Sequence, residues 1–163
     1  MKNTIFSLAL LSSLMSCTPA DQKTADTGAA DSVSNQKYNE ALATQLGADD
    51  FGMSQYVLVF LKRGPNRDQD SLAAAQIQKE HLANIQRLAD ERKLVLAGPF
   101  LDNGDIMGIY IFAVSSLEEA QKLTASDPAV KAGRLIMEMH PWYGSAALKQ
   151  VYEMHKAVAK KPF

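Results

Sequence analysis

Apolar and polar positions divide the chain into three textures. A short apolar run, residues 5–11 with Leu14 and Met15, follows a single positive charge at Lys2. From residue 18 to about 54 the chain turns to Ala, Ser, Thr, Gln, Asn and Asp, and such a stretch buries too little apolar surface to offset its ordering entropy. Within it, residues 36–46 carry a weak helical stripe of Tyr38, Leu42 and Leu46 that ends at Gly47, a local fold signal. From Gln55 onward apolar residues dominate. Tyr-Val-Leu-Val-Phe-Leu at 56–61 reads as a buried strand, broken by Gly64-Pro65-Asn66.

Asp68 or Asp70 can cap a long helix over 71–93, with an apolar stripe of Leu72, Ala75, the Lys79 stem, Leu82, Ile85 and Leu88 or Ala89. Two strands are predicted at 94–101 and 106–114, joined through Asp102-Asn103-Gly104-Asp105, where Asn-Gly is a hairpin signal. Ser115-Ser116-Leu117-Glu118-Glu119 offers two overlapping capping boxes for a helix to about 124. Asp127-Pro128 starts another helical turn that ends at Gly133. A strand over 134–140 and a helix over 146–159, with a stripe of Leu148, Val151, Tyr152, His155 and Val158, complete the pattern.

The order β-α-β-β-α-β plus a carboxy-terminal helix is the α+β, ferredoxin-like split βαβ arrangement. Its two helices pack on one face of the sheet, yet the strands are apolar on both. In the first strand one face shows Tyr56, Leu58 and Phe60 and the other Val57, Val59 and Leu61; the third strand splits likewise into Gly108, Tyr110, Phe112 and Met107, Ile109, Ile111. A half-solvated antiparallel sheet alternates with polar residues instead. A second copy is the economical cover, so a homodimer packed sheet to sheet is expected.

The amino-terminal run is too short to span a bilayer and has the layout of an export signal. It ends in Leu14-Met15-Ser16-Cys17, which resembles the bacterial lipobox, and Cys17 is the single cysteine of 163 residues. The expected organisation is a signal peptide at 1–16, a polar, acidic tether at 17–54, an α+β domain at 55–145 and the helix at 146–163. The tether reaches on the order of 30 Å as a random coil. One acyl chain binds a membrane marginally, at about 0.8 kcal/mol per buried CH2. The lipobox resemblance implies a diacylglyceryl group with a third chain on the amine, hence a lasting anchor. Thr18 stands where enteric lipoproteins kept in the inner membrane carry aspartate. In a two-membrane cell the expectation is therefore the outer membrane, facing the periplasm.

An acylated Cys17 leaves no thiol for catalysis, disulfides or CxxC zinc sites. The three histidines share no ligand spacing, so no metal is expected. Gly98-Pro99 reads as a strand break and not as part of a Gly-rich phosphate loop, so no cofactor is expected. The formal net charge of −1, made one unit more negative by loss of Lys2, argues against a nucleic-acid footprint.

Residues 56–143 resemble the YCII-related (YciI-like) family of dimeric α+β barrels. The resemblance is carried by His81-Leu82, Leu96-Ala97-Gly98-Pro99, Glu118-Glu119-Ala120, and Asp127-Pro128 followed by Ala132-Gly133. It implies a dimer with a site formed by His81 and Asp127. It also implies, for the members with an assigned reaction, lyase or isomerase chemistry on small ring compounds, such as chloride elimination or lactone-type proton transfer.

A histidine and a carboxylate suit proton transfer without a cofactor: the imidazole moves the proton, and the carboxylate fixes its tautomer and steadies the imidazolium. Each also has a plain structural reading. His81 sits on the margin of a helical stripe, and Asp127 before Pro128 is a natural N-cap. His140, Trp142 and Tyr143 crowd polar-tipped rings where the fourth strand is predicted to end; they suit either a ligand wall or a cover for the core or dimer seam. Lys62, Arg63 and Arg67 flank the first loop, as attractors of an anionic substrate or as solvated charges. Two functions follow: a cofactor-free enzyme acting on a small organic molecule, or a non-catalytic module of the cell envelope that binds a small molecule or a protein.

Overall fold

A computed structural model describes residues 37–161; the signal segment, Cys17 and the amino-terminal part of the tether lie outside them. Among the described residues no helix is long and apolar enough to cross a membrane.

Order begins inside the stretch read as tether. Helix α1 (Glu40–Leu46) is capped by Asn39, whose side chain accepts from Leu42 N at 3.0 Å, and stops at Gly47 with φ 59°. Tyr38, grouped with its stripe from the sequence, lies outside the helix and is exposed. Strand β1 (Met53–Arg63) is followed by α2 (Ser71–Asp90), β2 (Leu94–Pro99), β3 (Ile106–Phe112), α3 (Leu117–Ala125), α4 (Pro128–Lys131) and β4 (Leu135–Ser145). The sheet order is β2-β3-β1-β4 with antiparallel neighbours throughout. β1 and β2 therefore run parallel with β3 between them, the ferredoxin-like α+β topology.

Local chemistry sets the boundaries. Asp70, not Asp68, caps α2, accepting from Ala73 N at 2.8 Å. Of the two capping boxes Ser116 is used, accepting from Glu119 N at 3.1 Å. β2 stops at Pro99, and a broader loop replaces the tight Asn-Gly hairpin, with Leu101 fully outside. β4 runs five residues beyond its expected end, because β1 pairs with it from Met53↔Ser145 to Arg63↔Leu135. Pro141 is tolerated because β4 is an edge strand.

Val57, Val59 and Leu61 of β1, with Tyr110 and Phe112 of β3, pack under Leu88 and Ala120 of the helices. Each large side chain removed from water contributes roughly 1.5–3 kcal/mol. The phase of α2 differs from the expected stripe. Leu72 is 82% exposed and Leu82 39%, while His81, Asn84, Leu88 and Ala89 are buried. The inward face is part polar, which is why an apolar stripe pointed a little aside from it.

The opposite face of the sheet is covered in part by the chain itself. The expected final helix is split into a 3-10 turn (Ala146–Gln150) and α5 (Val151–Val158). The turn lays Leu148 against Tyr56, Val95 and Ile111. Lys149 Nζ donates to Leu46 O at 2.6 Å and Ser54 Oγ at 2.8 Å, tying α1 to the turn. These anchors keep the first turn on the sheet and prevent one straight helix. Farther along that face Ile136 and Trp142 remain exposed.

Candidate active site

His81 lies on the inward face of α2, directly over β3, and Asp127 ends the segment between α3 and α4. His81 Nδ1 is 2.9 Å from both Asp127 carboxylate oxygens. The carboxylate has no solvent exposure. It also accepts from Ala129 N at 2.8 Å, which makes it the N-cap of α4, and from Asn84 Nδ2 at 3.1 Å. One side chain thus caps a helix and at the same time contacts a histidine. Burial alone would raise its pKa. The hydrogen bond and charge of His81, with the Ala129 and Asn84 donors, outweigh that and hold the carboxyl below its ordinary value.

An ionised carboxylate only accepts, so Nδ1 carries the proton and the tautomer is fixed by Asp127. That leaves Nε2 facing the other way. Tyr110 Oη lies 3.4 Å from it, and the two rings stack at 6.3 Å between centroids. Burial, then the Asp127 charge, pushes the Tyr110 pKa far above its ordinary value, so the phenol stays protonated and can donate. Behind the pair, Arg87 Nη2 donates to Asn84 Oδ1 at 2.8 Å, extending the network to the surface.

His81 and Tyr110 open onto a cavity of about 430 Å³ between α2, the sheet and the start of β4. Its wall is largely apolar (Leu61, Ile85, Ala97, Leu135), with Gln78, Arg67 and Arg134 as further polar groups. Asp127 sits behind His81 and does not line it. Gly98 and Gly108 form part of the floor, where β2 and β3 approach so closely that a Cβ on Gly108 would meet Gly98 O at 2.5 Å. A few polar groups converging on an apolar hollow are the usual make-up of a small-molecule site.

The other sequence candidates lie elsewhere. His140 and Trp142 are on β4, opposite Leu58 and Tyr56, so they project from the sheet face away from His81. His140 contacts Glu138 at 3.1 Å and the Phe60 ring edge-on, and Trp142 leans on Tyr56. Tyr143 donates to Asp49. They form no wall of this cavity, because β4 continues through them as a strand and does not end before them. Arg63 is exposed on β1 and does not line the cavity, whereas Arg67 does. Sequence reasoning missed Asn84, Tyr110 and Arg134. Asn84 had a signal, one helical turn beyond His81; Tyr110 was hidden inside an apolar strand. Among the described residues no group of three or more His, Cys, Asp or Glu is placed to hold a metal.

The fold is that of a small α+β domain with a four-stranded antiparallel sheet. The chain belongs to the YCII-related domain family, which residues 56–142 match. It is similar to the uncharacterized protein YjpA of Bacillus subtilis (strain 168), with 30% identity over 76 residues, 44% of this chain and 87% of that one. A likeness of 24% identity and TM-score 0.42 extends to a solved structure of 5-chloro-2-hydroxyhydroquinone dehydrochlorinase from Burkholderia phenoliruptrix AC1100 in complex with 2,5-dihydroxybenzoquinone. It covers 53% of this chain and 92% of that one.

Proposed function

We propose that the domain is a cofactor-free acid–base enzyme of the lyase or isomerase type, moving a proton on a small organic molecule. The observation that carries this reading is the buried Asp127 holding His81 Nδ1–H while Nε2 faces a cavity of ligand size. Nε2 takes a proton from a carbon next to a carbonyl, and the C–H electron pair moves into the carbonyl. The imidazolium formed is steadied by the Asp127 charge, and the Tyr110 O–H donates to the oxygen on which negative charge develops. The electron pair then returns in one of two ways. The proton is delivered to a different carbon, which is isomerisation, or a leaving group departs with its bonding pair, which is elimination. General acid–base work of this kind contributes typically 10²–10⁴-fold.

The test is a panel of cyclic ketones, enol lactones and halogenated phenols, followed by absorbance and mass spectrometry. Turnover by the wild-type chain and its loss in His81→Ala support the reading. Binding of panel members with no turnover would make the domain a small-molecule binding module instead.

The location is proposed on the sequence features alone: Cys17 lipidated, the chain tethered in the cell envelope, outer membrane facing the periplasm. Labelling with a fatty-acid analogue, lost in Cys17→Ala, tests it. A homodimer through the sheet face is proposed on Ile136, 51% exposed, and Trp142, 36% exposed, beside the half-buried Leu58 and Phe60. A monodisperse monomer in light scattering would refute it.

A further inference from the structure

Three of the five arginines stand close together without an acid. Arg87 and Arg92 pair with Glu91 and Glu153. Among the described residues, Arg63, Arg67 and Arg134 make no ion pair, and the wall of the His81 cavity carries no Asp or Glu. Two of the three, Arg67 and Arg134, line that cavity. Both are oriented by neutral acceptors only. Arg67 donates through Nη2 to Arg134 O at 3.0 Å and through Nε to Gly64 O at 3.4 Å. Arg134 Nη1 donates to Gln69 Oε1 at 2.6 Å. A guanidinium has five donors, so most of these N–H groups are left for another acceptor. Partial burial, then the like charges of Arg134 and Arg63, lower the Arg67 pKa, as expected where positive charge is concentrated and not offset.

Holding two cations together is unfavourable, and carbonyl contacts alone do not require the charge. An anionic group between them relieves the repulsion, and planar forks match a planar carboxylate. We propose that the mouth of this cavity is an anion subsite, in which Arg67 and Arg134 hold the carboxylate or phenolate of a small organic acid while its reacting carbon faces His81. The substrate class is then an organic monoacid of modest size, its acid group at the arginine end and its apolar body against Leu61, Ile85 and Leu135. This deepens the acid–base reading and borrows the orientation of the substrate from it; the grip on the anion stands or falls by binding alone.

The test uses the full chain and matched pairs of probes: benzoate against benzamide, and cyclohexanecarboxylate against its amide. Affinities are read by titration while ring signals of His81 are followed by NMR. Each acid is expected to bind at least about tenfold tighter than its amide, as charge-assisted contacts require. Added salt weakens the acids alone. Arg67→Gln and Arg134→Gln each reduce the preference and together abolish it, the affinity lost by the acids exceeding any lost by the amides. Arg67→Lys restores part of it, and Arg92→Gln leaves it intact. The preference survives His81→Gln, which removes the other group in the cavity able to carry positive charge. Equal affinity for acid and amide, no carboxylate-induced shift at His81, or a preference that persists in the double variant would overturn the proposal. Should a glutamine variant fail to fold, the salt titration and the lysine variant decide. Turnover of neutral substrates with no anion preference would sink this subsite and spare the enzyme reading. Anion preference with no turnover would do the reverse.

Discussion

Asp127 serves His81 with both carboxylate oxygens, one of which also starts a helix: Nδ1 lies 2.9 Å from each, and Ala129 N donates to one of them at 2.8 Å. The histidine is therefore held by a carboxylate that is itself fixed by the backbone. A rotation of the Asp127 carboxylate would break the cap of α4 as well as the contact to His81, so the group that orients the histidine is held in place by the fold. The same geometry separates the two roles experimentally.

Asp127→Asn keeps an N-cap acceptor of nearly equal quality but removes the charge. Stability is expected to fall by about 1–3 kcal/mol, the cost of disturbing a buried hydrogen-bonded group. Activity is expected to fall by about 10²–10⁴-fold, since the tautomer is no longer imposed. Thermal unfolding and initial rates, measured on one preparation, check the two numbers against each other.

The acid limb of stability follows from the same carboxyl. Its folded pKa lies below the ordinary aspartate value of 3.8, so the unfolded chain takes up the proton first as pH falls. The stability it contributes is complete above that value and is lost as pH drops through the lower, folded pKa. Urea unfolding from pH 6 to pH 2.5 is expected to show the wild type losing its advantage over Asp127→Asn below about pH 4.

Asn84→Ala removes a donor from a buried carboxylate and an acceptor from Arg87. A loss of about 1–3 kcal/mol is expected. Tyr110→Phe removes only the hydroxyl beside His81 Nε2 and is expected to lower kcat with little change in KM. A KM effect alone would assign Tyr110 to binding.

Gly108→Ala places a Cβ against Gly98 O at 2.5 Å, a contact between two backbones with no side chain to yield. Separation of β2 from β3 is expected to cost about 1–3 kcal/mol and to distort the cavity floor. Unchanged Tm and unchanged ligand affinity would show that the close approach is not needed.

Much of the fold was legible because its signals are local. Asp127-Pro128 and Ser116 with Glu119 mark their helix starts within a few residues, and the run at 56–61 needs no partner to read as a strand. What escaped was tertiary. The inward face of α2 carries His81 and Asn84, whose polarity is tolerated only because Asp127 waits 46 residues after His81, so hydrophobic periodicity pointed to Leu72 and Leu82 instead. β4 passes through Pro141 because β1 supplies partners on its inner side, a fact of pairing and not of propensity. That continuation places His140 and Trp142 on the far face. Tyr110 looks like any core aromatic until its hydroxyl is seen 3.4 Å from Nε2.

The measurement that tests the central claim most directly is deuterium wash-in from D2O to a carbon acid found to bind the cavity, followed by mass spectrometry. His81→Gln and Asp127→Asn are compared with the wild type. Exchange is expected with the wild type, none above background with His81→Gln, and a rate reduced by about 10²–10⁴-fold with Asp127→Asn. Exchange that proceeds equally in all three chains would contradict that claim, and His81 would then be a structural member of a buried polar cluster.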